Sequence, residues 1–146
     1  SKEAYDIFLS VDYPGWLHEV KLGATSIWER WDSLDKHGRI SQLNEYLNHY
    51  AYGCVAGWMY EYLCGFRFDK EGNLFLAPMP DARLGYAEGK ISTYQGTYKI
   101  KWEYNTQTHL RFQVSVPFQT TLLVYLPNGK QLIAHSGENH FDVVLS

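Results

Sequence analysis

Phe66-Arg67-Phe68-Asp69-Lys70-Glu71-Gly72-Asn73 is the stretch on which the reading of the fold turns. Before it, apolar residues recur at helical spacing; after it, they come in short alternating runs. On the N-terminal side a helix is predicted from Glu45 or Asn48 to Leu63, with Leu47, Tyr50, Ala51, Cys54, Val55, Trp58, Met59 and Tyr62 on one face. Tyr52, Gly53, Ala56, Gly57 and Tyr60 make the other faces scarcely more polar, and a helix apolar nearly all round is expected to be buried on several sides. Gly65 stands where a C-terminal cap belongs. On the C-terminal side, residues 74–77, 83–91, 98–104, 110–116, 120–126, 132–134 and 141–145 read as strands. Turn-forming residues separate them at 69–73, 94–96, 105–108, 127–129 and 136–139. Such meander spacing predicts an antiparallel β-sandwich rather than a parallel sheet with crossover helices.

The boundary therefore divides residues 1–65 from residues 66–146. The first part carries more apolar surface than so short a segment can bury on its own, so it reads as the tail of a larger helical domain. Alone, it is expected to self-associate into a homo-oligomer through residues 1–65. Further out, Ala4, Ile7 and Phe8 give one short amphipathic helix over residues 3–9. Tyr13-Pro14-Gly15 then forces an extended residue and a turn before Trp16-Leu17-His18-Glu19-Val20. Residues 35–39 read as a solvated loop.

The totals limit the function. With 45% hydrophobic and 16% aromatic residues in 146, the chain is a folding sequence. A formal charge of −3 offers no basic stripe, which argues against a nucleic-acid partner or an anionic membrane surface. No apolar run is long enough to span a bilayer. Cys54 and Cys64 are ten residues apart on the predicted helix, about 15 Å along its axis, too far to bridge. Two buried free thiols fit a reducing compartment, with the cytoplasm as the expected setting, or a site that oxidation never reaches. The chain opens Ser1-Lys2-Glu3 without methionine, so more polypeptide is expected upstream.

Chemistry concentrates in Ala24-Thr25-Ser26-Ile27-Trp28-Glu29-Arg30-Trp31-Asp32, where three charged side chains lie between and beside two indoles. A carboxylate held there would lose water, rise in pKa and become a better base, while the indoles would cover sugar faces. The plainer alternative is a tryptophan-lined core with Glu29 and Arg30 paired at its edge. Asn48-His49-Tyr50, about twenty residues on, adds an amide and an imidazole. Together with Asp32 these form a vocabulary for binding hydroxyls. No metal or cofactor is expected: His18-Glu19 has no second histidine four residues on, and neither cysteine has a CxxC partner. His109, His135 and His140 read as surface residues of the strand-rich part.

At Tyr13-Pro14-Gly15-Trp16-Leu17, Gly23-Ala24-Thr25-Ser26-Ile27-Trp28-Glu29-Arg30-Trp31-Asp32-Ser33, Asn48-His49-Tyr50-Ala51-Tyr52-Gly53 and Ala77-Pro78-Met79-Pro80 the chain resembles the C-terminal end of bacterial α-L-rhamnosidases of glycoside hydrolase family 78. The resemblance spans essentially the whole chain. It implies that residues 1–65 are the last helical elements of an (α/α)6 barrel and residues 66–146 a C-terminal antiparallel β-sandwich. It also implies hydrolysis of terminal α-L-rhamnosides with inversion. Glu29 matches the family's general base and His49 a residue that contacts the sugar; Trp28, Trp31 and Asp32 would shape the pocket. The family's general acid belongs to a motif of the kind Asp-x-Pro-x-Arg-x-Glu-Arg, which this chain lacks. Glu19 and Glu45 lack its context. The implied partners are rhamnose-containing glycosides and an upstream catalytic-domain segment, without which the chain is expected to be inactive. The competing expectation is a non-catalytic sandwich, carbohydrate-binding or structural. Its single tryptophan, Trp102, lies where strand alternation points it inward, which favours the structural version.

Overall fold

The computed structural model describes residues 2–41 and 46–145. Glu45, one of the two expected helix starts and a candidate second carboxylate, lies outside the described residues. The contact pattern separates Ser1–Gly57 from Trp58–Ser146 as two compact units.

In the first unit, helix α1 (Lys2–Leu9) forms where the short apolar spacing predicts it. Its buried residue is Tyr5, whereas Ile7, expected inward, is exposed. Helix α2 (Trp16–Lys21) follows Gly15. The long helix expected to end at Leu63 starts later and is not uniform: a 3-10 turn (Ala51–Gly53), helix α3 (Cys54–Trp58) and a π turn (Met59–Leu63) succeed one another. The π turn closes with the Cys64 N–H donating to the Met59 carbonyl, 2.8 Å. Nor is the run buried on several sides. Cys54, Tyr52, Met59 and Tyr60 are exposed, and only Leu63 among the helical residues 51–63 is buried. The apolar faces are there, as the sequence suggests, but among the described residues they are only partly covered: Val55, Trp58 and Tyr62 are half-buried. Both cysteines are free, but only Cys64 is buried; burial pushes its thiol up to about 11.

The second unit takes in the π turn Met59–Leu63 and carries strands β1 (Phe66–Phe68), β2 (Leu74–Leu76), β3 (Tyr86–Thr93), β4 (Gly96–Tyr104), β5 (His109–Tyr125) and β6 (Gln131–Val144). They pair as one six-stranded sheet in the order β1-β2-β5-β4-β3, with β6 on the other edge of β5. Every pair is antiparallel except β2–β5, which is parallel through Phe75 against Leu123 and Leu76 against Val124. This corrects the expectation of purely antiparallel pairing.

Two further corrections concern strand length. Residues 110–116 and 120–126 are one strand, and residues 132–134 and 141–145 another, joined by the turn at 127–130. The polar run 136–139, expected as a turn, stays in the ladder because tertiary pairing supplies what the local sequence does not. Val114 pairs with Asn139, Ser115 with Glu138 and Val116 with Gly137. The register then shifts between Val116 and Thr121. Gly137 takes φ 97°, and the Asn139 side chain accepts from the His135 N–H and donates to the His135 and Gly137 carbonyls. A bulge, not a reversal, results.

One face of the sheet holds the core. Alternate residues Tyr98, Ile100, Trp102, Leu110, Phe112, Val114, Leu122 and Val124 are buried, as a half-solvated sheet requires. Trp102 is fully buried, as its strand position predicts, and its Nε1 donates to the Leu63 carbonyl at 2.7 Å. That carbonyl and its neighbour on Tyr62, which accepts from Met79 N–H at 2.9 Å, are end groups that the helical run cannot satisfy itself. Gly65 then reverses the chain at φ 83°, so close to Pro78 that a Cβ would fall 2.2 Å from its nitrogen. Only glycine fits.

Candidate active site

All five residues singled out from the sequence belong to the first unit. Four hydrogen bonds join residues 26–29 to residues 46–49. Ser26 Oγ donates to the Leu47 carbonyl, and His49 N–H to the Ile27 carbonyl at 2.8 Å. Glu29 N–H donates to the Tyr46 carbonyl at 2.9 Å, and Tyr46 N–H returns a bond to Glu29 Oε2 at 3.2 Å. The carboxylate and the imidazole, twenty residues apart in sequence, thereby sit on neighbouring clamped segments.

Glu29 is half-buried and oriented by that Tyr46 N–H. His49 is also half-buried and stacks on Tyr50, centroids 5.4 Å apart and planes within 5°. Its Nδ1 accepts from the Ala51 N–H at 3.1 Å. A ring nitrogen that accepts carries no proton, so the neutral tautomer has its hydrogen on Nε2, as a donor for a hydroxyl oxygen. Asp32 is held by Arg30 in a two-pronged ion pair, Nε to Oδ1 at 2.9 Å and Nη2 to Oδ2 at 2.8 Å. Arg30 also donates its N–H to Ser33 Oγ, which is fully buried. Asp32 is thus tied into the segment's own framework.

The indoles divide. Trp28 is buried, 3% exposed. Trp31 stacks on Tyr52 at 5.5 Å, and Trp16 meets both edge-on at 5.9 and 6.0 Å. One face of Trp31 is therefore covered by Tyr52. Its buried Nε1 finds no partner among the described residues. Among the described residues the buried carboxylate is Glu19. That side chain is 3% exposed; its Oε2 accepts from the Trp28 N–H at 3.3 Å, and its buried Oε1 has no partner among the described residues. Its backbone carbonyl accepts from Leu22 and Ala24, so Glu19 brackets the turn that leads into Trp28. Position in the sequence shows nothing of this, since Glu19 has the spacing of an ordinary acid in a six-residue helix. No group of three or more histidine, cysteine or acidic side chains could hold a metal ion among the described residues.

Burial raises the Glu19 carboxyl above its ordinary value, against smaller downward pulls from the Trp28 N–H and from His18. A folded value above the unfolded one means that the folded chain binds the proton more tightly. Stability from this group is then present at low pH and is lost as pH rises through the folded value. Glu19→Gln, which keeps an acceptor for Trp28 but cannot ionise, should melt close to the parent below pH 4.5, the ordinary value, and increasingly above the parent as pH rises. Thermal melts across that range measure the gap; one that stays flat with pH would refute it.

Comparison with known proteins assigns both halves of the chain. Residues 1–63 match the bacterial alpha-L-rhamnosidase 6 hairpin glycosidase domain, and residues 72–141 the bacterial alpha-L-rhamnosidase C-terminal domain. Both matches are to parts of one class of protein, the bacterial alpha-L-rhamnosidases. An alpha-L-rhamnosidase of Formosa agariphila is 36% identical over 126 residues, which are 84% of this chain and 14% of that protein. The solved alpha-L-rhamnosidase of Aspergillus terreus superposes with a TM-score of 0.85 at 29% identity, over 95% of this chain and 17% of that one. That of Streptomyces avermitilis, solved with L-rhamnose, gives 0.74 at 26%, over 97% and 15%. The chain belongs to the bacterial α-L-rhamnosidase family and spans about a seventh of the length of the curated relative described above.

Proposed function

We propose that the chain supplies the water-activating half of an inverting glycoside hydrolase that removes terminal α-L-rhamnose from rhamnosides. Glu29 is the general base. Its carboxylate takes a proton from water as the water oxygen bonds to the anomeric carbon from one side. The glycosidic bond breaks on the other side, and the leaving oxygen takes a proton from a carboxylic acid, so that one glycoside and one water give rhamnose and an alcohol. His49 donates from Nε2 to a sugar hydroxyl, and Trp28, Trp31 and Asp32 shape the surround. The observation that supports this reading is the clamp between residues 26–29 and 46–49, which ties the segment of a carboxylate with a hydrogen-bonded oxygen to the segment of an imidazole whose Nδ1 accepts a backbone bond.

Inversion needs two carboxyl groups roughly 6.5–9.5 Å apart. We assign the acid to polypeptide upstream of Ser1, in keeping with the small share of its relatives that the chain spans. In this reading residues 1–65 are the last elements of an (α/α)6 barrel and residues 66–146 a β-sandwich. The exposed apolar faces of the 51–63 run would be covered in the whole enzyme, and by self-association when the chain is alone, which sedimentation would reveal. Free Cys54 and Cys64 support a cytoplasmic setting. The test is an aryl α-L-rhamnoside assay: no turnover from this chain, and turnover once it is joined to the preceding segment. Turnover by residues 1–146 alone would overturn the one-carboxylate account.

A further inference from the structure

Across β3, β4, β5 and β6 the outward face of the sheet forms a ladder whose rungs follow from the register. Lys90 lies opposite Lys99, Lys99 opposite Ser115, and Ser115 opposite Glu138. The next rung is Glu88, Lys101, Gln113 and His140, and the one after it starts from Tyr86, which is 60% exposed. A shallow trough of about 460 Å³ lies over the first two rungs, and a second of about 380 Å³ adjoins it at Lys101 and Tyr86. From Tyr86 to Lys90 the strip runs about 13 Å.

The cations on this face are not alike. Lys101 pairs with Glu103 at 2.9 Å, and Arg111 lies 3.6 Å from Asp142. Lys90 and Lys99 are exposed, directly opposed and, among the described residues, without an acidic partner. Two like charges opposite each other cost stability that any two neutral residues would save. A ligand anion placed between them would offset that cost and could be held by both ammonium groups. The neighbours narrow the anion's source. Ser115, Gln113, Glu138 and Glu88 are groups that bind hydroxyls, and Tyr86 offers an exposed ring at the far end. The same carboxylates would repel a closely spaced polyphosphate or an anionic membrane. We infer that this outer sheet face binds an acidic saccharide chain, with Lys90 and Lys99 holding one carboxylate substituent and the polar rungs its hydroxyls. The inference goes beyond the hydrolase reading and does not depend on Glu29.

The test uses the whole chain and three probes: an oligogalacturonate, the same oligomer with its carboxyls methyl-esterified, and inorganic polyphosphate. Calorimetry should show saturable binding of the free acid that weakens with salt, and about ten-fold weaker binding of the ester, as expected for loss of a charge-assisted contact. Lys90→Gln with Lys99→Gln should lose the preference for the acid and melt no lower than the parent, since the opposed charges are gone; Lys90→Arg with Lys99→Arg should keep the preference and melt like the parent. Glu29→Gln should bind as the parent does, which separates this site from the proposed hydrolase centre. Equal binding of acid and ester, stronger binding of polyphosphate, no binding at all, or a preference that survives the glutamine pair would each overturn the inference.

Discussion

Glu29→Gln, in the chain joined to its upstream segment, is expected to lower kcat for an aryl α-L-rhamnoside by about 10²–10⁴-fold, the usual worth of a general base. KM should change little, because glutamine keeps the shape of glutamate and an oxygen for the Tyr46 N–H. What it loses is the ability to take a proton from water in the transition state, and such a loss appears in kcat and kcat/KM together. Steady-state kinetics with a good leaving group separates the base from the acid: the acid matters less when the departing oxygen needs no proton, while the base matters as much as before. A variant that keeps full turnover would remove Glu29 from the chemistry. Replacement of His49 by alanine should instead raise KM, since its Nε2 would lie on the sugar and not on the water.

The second large effect lies in the sheet. Trp102→Ala should cost about 3–5 kcal/mol of the second unit's stability, the range for removing a large aromatic side chain from a tight core. Urea unfolding followed by far-UV circular dichroism would measure it. Trp102→Phe keeps a ring but deletes the indole N–H that donates to the Leu63 carbonyl. An orphaned carbonyl at a buried helix end should cost about 1–3 kcal/mol of its own. If the phenylalanine variant unfolds with the parent, that carbonyl has found another donor, and the indole contributes by volume alone.

Legibility differed from element to element. The inward position of Trp102, the turns at 105–108 and 127–129, and the cap at Gly65 follow from period-2 alternation and turn chemistry, which are local. The merger of four predicted runs into two long strands is not local. Residues 136–139 have the composition of a turn and are held in the ladder by β5 and by the Asn139 side chain. Likewise the parallel pairing of β2 with β5 leaves no trace in the pattern of either strand. In the site, the tryptophan-flanked acid could be picked out by composition. The bonds that bring Ile27 to His49 and Glu29 to Tyr46 are largely made by backbone groups, which every residue carries. Glu19 escaped for the opposite reason: its surroundings, not its neighbours in sequence, make it unusual.

The parallel β2–β5 pair also orders events in time. The β5–β6 hairpin and the β3–β4 hairpin close through short turns and need little loop entropy, whereas Leu76 can meet Val124 only after the intervening chain has been brought together. The β2 edge is therefore the last seam of the sheet to form. Until it does, the Leu123–Val124 side of β5 presents unpaired amides and carbonyls on an apolar strand, a template for another nascent molecule. Refolding yield should then fall with protein concentration for a reason rooted in topology.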